Sequence, residues 1–273
     1  MDTATQQKSD GSTGAQSVDR VLGLLSTIAR AGGKSVSINF LVEESGLSRP
    51  TVRRMMLALI RAGFVEQDED SRTYALGTES YVIGLMANRR FNLLDLAIDS
   101  LVALSRESED TSFLSIRRGA HSVCLHREEG SFPIRTHALQ AGQKHPLGVG
   151  AGGMAILAAL SDEEAENTIA DNADLLARDY PGYSLDLMRQ HVRDTRKRGW
   201  SVNPGLYVPN SWAVGIVLLS PDGKPIGALS IAALDARMQA DRQIRIADLL
   251  KREKRSIETK LSRKLDFDIP STA

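Results

Sequence analysis

Apolar positions recur with a helical period from residue 18: Val18, Val21, Leu22, Leu24, Leu25 and Ile28 share one face, and Ala31-Gly32-Gly33 closes the stretch. This pattern predicts a first helix. Ser37 is placed to cap a short second helix carrying Phe40, Leu41 and Val42, which Gly46 ends. Ser48 then opens a third, with Pro50 in its first turn and Val52, Met55, Met56, Leu59 and Ile60 on its apolar side. Ala62-Gly63 stops that helix. Residues 64–66 and 73–76 read as two strands around the polar turn 68–72, and 79–90 as a connecting helix with Val82, Ile83, Leu85 and Met86 on its apolar side.

Beyond residue 91 the pattern changes. A helix over 93–108 precedes short β-like runs at 111–116, 122–126 and 134–138. A glycine-rich turn, 148–153, leads into a small-residue helix over 154–160, and Ser161 caps a polar helix with Glu163 and Glu164 in its first turn. A helix over 185–198 gives way to a strand at Gly199-Trp200. Residues 213–220 and 225–233 form a hairpin across Pro221-Asp222-Gly223, and 240–265 is a long final helix. Strands with segregated helices predict an α+β domain. The expected organisation is a disordered polar tail (1–16), a winged helix-turn-helix (17–77), a linker helix (78–90), a larger domain (91–265) and a tail (266–273).

Composition narrows the function classes. A length of 273 residues favours two domains, and 42% apolar with 25% charged residues is ordinary for folded chains. The longest apolar stretches fall far short of the roughly 20 residues a membrane helix needs. Residues 1–16 lack the basic and apolar regions of a signal peptide, which leads us to expect a cytoplasmic protein. The single cysteine, Cys124, excludes an intrachain disulfide and a thiolate-rich zinc site. His121, His126, His137 and His145 do not have the spacing of a compact metal site, so neither metal nor cofactor is expected.

The net charge of zero hides a local excess: Lys34, Arg49, Arg53, Arg54 and Arg61 face only Glu43 and Glu44 between residues 34 and 61. With the apolar side of the third helix turned inward, Ser48, Arg49, Pro50, Thr51, Arg53 and Arg54 remain at its N-terminal, solvent-facing end. A recognition helix makes its base and phosphate contacts there. Arg53 or Arg54 is suited to a bidentate pair with a guanine edge, and Arg72 in the wing turn to a phosphate or minor-groove contact.

The chain resembles the IclR-type bacterial regulators. The resemblance runs from about residue 17 to 265. It is carried by Ser17-Val18-Asp19-Arg20-Val21-Leu22, the segment from Gly46 to Arg54, Gly63-Phe64-Val65, Tyr74-Ala75-Leu76-Gly77, the run from Pro146 to Ala158, Thr195-Arg196-Lys197-Arg198-Gly199-Trp200, and Ala228-Leu229-Ser230-Ile231-Ala232. It implies a winged helix, a linker helix used in dimerisation, a GAF-like effector-binding domain, and a homodimer or homotetramer on palindromic double-stranded operator DNA. RNA polymerase is a further partner to be expected of such a regulator.

The same resemblance implies an effector pocket at Gly150, Ala151, Asn203, Ala213, Ser230 and Ala232. Backbone N–H groups of a glycine-rich turn at a helix N-terminus favour a carboxylate, and Ser230 adds a hydroxyl. Asn203, Ala213 and Ala232 stand where glyoxylate-responsive members carry polar or acidic types. Trp200, Tyr207 and Trp212 suit an aromatic ring, and Arg135 and His145 are placed to meet a carboxylate. The expectation is a regulator of a catabolic operon controlled by a small, aromatic organic acid, whose binding biases the placement of the winged helices through residues 79–90. Two other classes compete: a DNA-binding or interaction protein without a ligand, and a hydrolase. Against the hydrolase, Gly-x-Ser-x-Gly is absent, the pairs Glu163-Glu164 and Glu128-Glu129 lie in solvated segments, and no Lys-Ser/Thr follows the glycines as in a P-loop.

Overall fold

The structure, a computed structural model, describes residues 13–88, 93–134 and 139–267. Contacts divide the chain into two units, separated between residues 91 and 92.

The first unit contains α1 (Thr13–Arg30), α2 (Ile38–Ser45), α3 (Arg49–Arg61), strands β1 (Val65–Gln67) and β2 (Tyr74–Leu76), and α4 (Thr78–Asn88). Helix α1 begins at Thr13, four residues before the winged helix-turn-helix was expected to start, and residues 1–12 lie outside the described residues. Ser37 caps α2 by accepting the amide of Phe40, and Gly46 takes the left-handed conformation (φ 64°) that lets the chain leave it. Ser48 adopts the extended backbone of an N-cap, but its hydroxyl pairs with Thr51 Oγ1 at 2.8 Å instead of a backbone amide. Leu24, Ile28, Leu41, Val52, Met56 and Val65 form the core, each nearly fully buried. Burial at this level stabilises by about 1.5–3 kcal/mol per large side chain. Strands β1 and β2 pair antiparallel, and Val36 adds a bridge to Tyr74 through two 2.8 Å backbone bonds.

The second unit is built on a six-stranded antiparallel sheet: β3 (Thr111–Arg118), β4 (His121–Glu128), β5 (Lys144–Pro146), β6 (Ser201–Pro204), β7 (Ser211–Leu219) and β8 (Pro225–Leu234), in the order β5-β4-β3-β8-β7-β6. Helices α5 (Leu93–Ser108) and α10 (Ala240–Phe267) share a core with one face, through Leu101, Leu104, Leu114, Ile231 and Leu250. Helices α6 (Gly150–Ala158), α7 (Asp162–Asp171), α8 (Ala173–Asp179) and α9 (Leu185–Arg198) contribute to a second core with Leu157, Ile169, Leu176, Met188 and Ala228.

Several elements differ from expectation for physical reasons. Gly150 to Gly153 form the first turn of α6 rather than a turn before it, because the lack of side chains lets the helix lie close to the sheet. A Cβ on Gly153 would sit 3.1 Å from Ser122 Oγ, and one on Gly215 only 2.7 Å from the Ala151 carbonyl. Arg196 supports the other end of α6, donating to the carbonyls of Ala158 and Leu160 at 2.8 Å each. Of the strand expected at 134–138, Ile134 lies in a bend and 135–138 fall outside the described residues. The strand found in this region is β5, too short to show alternation. Helix α10 continues two residues past the expected end to Phe267.

Candidate functional site

One face of α3 is buried through Val52, Met55, Met56 and Leu59, and the other presents Pro50, Arg53, Arg54 and Arg61 to solvent. Arg49 is also exposed, but its guanidinium donates to Asn39 Oδ1 at 2.6 Å, which ties it to α2. Thr51 is half-buried and bonded to Ser48, so of the expected contact residues Arg53 and Arg54 stand out as exposed cations with no bond to a neighbour among the described residues.

The wing tip has a different charge. Arg72 is exposed in a left-handed conformation (φ 56°), beside Asp68, Glu69 and Asp70. The Ser71 amide and hydroxyl donate to Asp68 at 2.7 Å and hold its carboxyl below the usual carboxylate range, which fixes a negative charge next to Arg72. This acidity weakens the wing as a phosphate clamp relative to α3.

In the second unit a small cavity of about 30 Å³ opens beside the N-terminus of α6. The sequence-predicted Gly150, Ala151, Asn203, Ala213, Ser230, Ala232 and His145 all line it, brought together from β5, α6, β6, β7 and β8. Arg135 and His137 lie outside the described residues. Trp212 does not line the cavity. Successive strand side chains point to opposite faces, so with Ser211 and Ala213 on the cavity side Trp212 packs against the α5/α10 core, as does Trp200. Arg198 covers the Trp200 ring at 4.8 Å. Of the three aromatics expected to receive a ring, Tyr207 alone lines the cavity.

Sequence reasoning missed Phe113, Leu139, Val149, Val208 and Ser211. Phe113 was accessible through register: it pairs with Ser230 across β3 and β8, and paired residues share a face.

The polar groups are knitted together. Gly150 N–H donates to the Tyr183 hydroxyl at 3.1 Å, Tyr183 donates to Asn203 Oδ1 at 3.4 Å, and that oxygen also accepts from the Leu206 amide at 3.1 Å. Ser201 Oγ donates to the Ala151 carbonyl at 2.6 Å and so joins α6 to β6. Burial pushes the Tyr183 phenol up to about 12 and depresses His145 to about 4, so at neutral pH both are uncharged. Among the described residues no charged side chain lines the cavity, and no group of three or more His, Cys, Asp or Glu could hold a metal ion.

A winged helix with exposed arginines on its third helix, joined to an α+β domain enclosing a small cavity, defines the class as a transcription regulator. Comparison with known proteins agrees: residues 17–69 match the IclR helix-turn-helix domain, and residues 86–259 match the C-terminal domain of the bacterial transcriptional regulator IclR. The chain belongs to the IclR family. It is 25% identical over 265 residues to the HTH-type transcriptional repressor AllR of Klebsiella pneumoniae, covering 96% of both chains. It is 26% identical over 235 residues to the transcriptional repressor IclR of Escherichia coli, covering 83% of both. Among solved structures, Thermotoga maritima IclR superposes with a TM-score of 0.67 at 24% identity, over 90% of this chain and 99% of that one. An IclR homolog from Microbacterium hydrocarbonoxydans, complexed with 4-hydroxybenzoate, superposes with a TM-score of 0.75 at 17% identity, over the same shares. Both likenesses establish the fold. No helix among the described residues is long and apolar enough to cross a membrane.

Proposed function

We propose that this protein is a transcription factor whose hold on a palindromic double-stranded operator is set by a small organic acid bound in the α6 cavity. The observation that carries the DNA reading is the exposure of Arg53 and Arg54 on a helix whose opposite face is buried. Presented to the major groove, they supply phosphate neutralisation and a guanine contact. Ser48, Arg49, Pro50 and Thr51 fit the same helix end against the duplex, and Arg72 contributes from the wing.

The protein acts as a homodimer or a homotetramer. Tyr81, Val82, Ile83, Leu85 and Met86 on α4 are 39–70% exposed, an apolar surface suited to pairing with a second copy. A ligand that prefers one arrangement of the paired winged helices shifts operator affinity, with α4 as the transmitting element. The neighbour complexed with 4-hydroxybenzoate and the relatives named as repressors support an acid-responsive repressor. Its target in this reading is a catabolic operon, and it acts in the cytoplasm at promoters used by RNA polymerase.

Titrating the full chain with its own upstream DNA by fluorescence anisotropy tests this reading. The expected result is saturable binding that weakens steeply with salt and shifts when an aromatic acid is added. Absence of binding at low salt sinks it.

A further inference from the structure

One buried polar atom at the cavity is left without a partner. His145, 7% exposed on β5, lines the cavity, and its Nε2 is buried with no hydrogen-bond partner among the described residues. Its Nδ1 lies 2.9 Å from the Tyr180 hydroxyl. A neutral phenol both donates and accepts; where the Tyr180 hydroxyl donates to Nδ1, the neutral ring carries its proton on Nε2. A donor facing no acceptor in a dry site is costly unless a ligand completes it.

The neighbouring wall adds two constraints. Gly150 N–H is taken by Tyr183, but the amide of Ala151, the next residue in the first turn of α6, has no acceptor among the described residues. The rest of the lining is apolar or neutral: Phe113, Leu139 and Val208 on one hand, Ser211 and Ser230 on the other. Neutral donors and a helix N-terminus can offset one negative charge. A second carboxylate or an ammonium group would be buried unpaired. The cavity holds little more than a water molecule as it stands, so the occupant is small and must displace a side chain. Tyr207 is the candidate, since its ring leans edge-on against His145 (centroids 4.7 Å apart) and its hydroxyl has no hydrogen bond among the described residues.

Resting on the reading of this cavity as the effector site, we propose that His145 Nε2–H anchors one carboxylate oxygen of the effector. The site then selects small monocarboxylates with an uncharged, apolar remainder over dicarboxylates and amino acids. His145 is thereby a specificity-determining residue, and Tyr180 positions it by setting its tautomer.

Calorimetry on the full chain tests this with benzoate and pyruvate against their doubly charged counterparts phthalate and succinate, in wild type, His145→Phe and His145→Gln. At least one monocarboxylate binds, about 100-fold tighter than its counterpart. His145→Phe weakens it about 10- to 100-fold, and His145→Gln, which keeps an N–H donor, restores most of the loss. Nitrogen-15 shifts of the wild-type ring report a protonated Nε2 and a bare Nδ1, a readout independent of whether the variants fold. Equal binding of the dicarboxylates, no binding of either monocarboxylate, an unaffected His145→Phe, or a protonated Nδ1 in the neutral ring overturns the proposal. Operator binding measured in parallel separates the two readings: a monocarboxylate that binds through His145 without changing DNA affinity removes the effector role and leaves the anchor standing.

Discussion

The N-terminal turn of α6 borders the cavity because Gly215 of β7 lets it approach, so Gly215→Ala should disturb the second unit selectively. The added Cβ would lie 2.7 Å from both the carbonyl carbon and oxygen of Ala151, and 2.8 Å from Ser201 Oγ. Ordinary contact begins at 3.4 Å, so helix and strand must part by about 0.7 Å, and the obstacle is backbone, which cannot rotate aside. Overpacking of this kind costs about 1–3 kcal/mol. The same displacement stretches the 2.6 Å Ser201–Ala151 bond, worth about 1 kcal/mol more. For a unit of this size the sum of about 2–4 kcal/mol lowers its Tm by roughly 5–15 °C. Differential scanning calorimetry of the full chain should show that shift in one transition, while the winged helix, with its own core, keeps its transition and its affinity for DNA. Benzoate binding should weaken as well, since the Ala151 amide moves with the turn. A variant that melts within a degree of wild type and binds the acid unchanged would refute the argument that Gly215 places this wall.

Three other outcomes follow from the same geometry. Arg53→Ala and Arg54→Ala should each weaken operator binding about 10- to 100-fold without lowering Tm, because both side chains are exposed; if one touches phosphate, its loss should reduce the slope of log affinity against log salt by about 1, as read in anisotropy titrations. Asp110, 5% exposed, accepts Arg237 Nε at 3.1 Å and Arg242 at 2.7 Å, so Asp110→Asn, which leaves two guanidinium groups facing a neutral amide, should cost about 2–4 kcal/mol in denaturant unfolding. Burial holds His145 near 4 when folded against an ordinary 6.5, so the unfolded chain takes up this proton first; the contribution is complete above pH 6.5 and is lost as pH falls toward 4, up to about 3 kcal/mol, and His145→Gln should flatten that part of the stability profile.

Much of this was legible along the chain wherever a pattern ran long enough to declare its period. Helix α3 announced itself by Ser48, Pro50 and an apolar stripe whose complement is Arg53 and Arg54, and α9 was read over 185–198, the bounds it takes in the structure. Two short elements escaped this reading: β5, three residues long, and α8, seven. The glycines of α6 read as a turn because helix propensity disfavours them, and here close packing against Ser122 and Ser115 outweighs propensity. The placement of Trp212 in the pocket was correctable from sequence, since it cannot share a strand face with Ala213. The burial of His145 and its tie to Tyr180 was not, because it depends on a contact between residues 35 positions apart.

The central claim is that the exposed face of α3 holds DNA under control of the cavity. The direct measurement is anisotropy of the full chain on its own upstream DNA across a salt series, with and without benzoate or 4-hydroxybenzoate. The account predicts tight binding at low salt, a steep linear loss of log affinity with log salt, and a displacement of the whole curve by one of the acids. Binding that is absent, or insensitive to salt and to Arg53→Ala and Arg54→Ala alike, would contradict it.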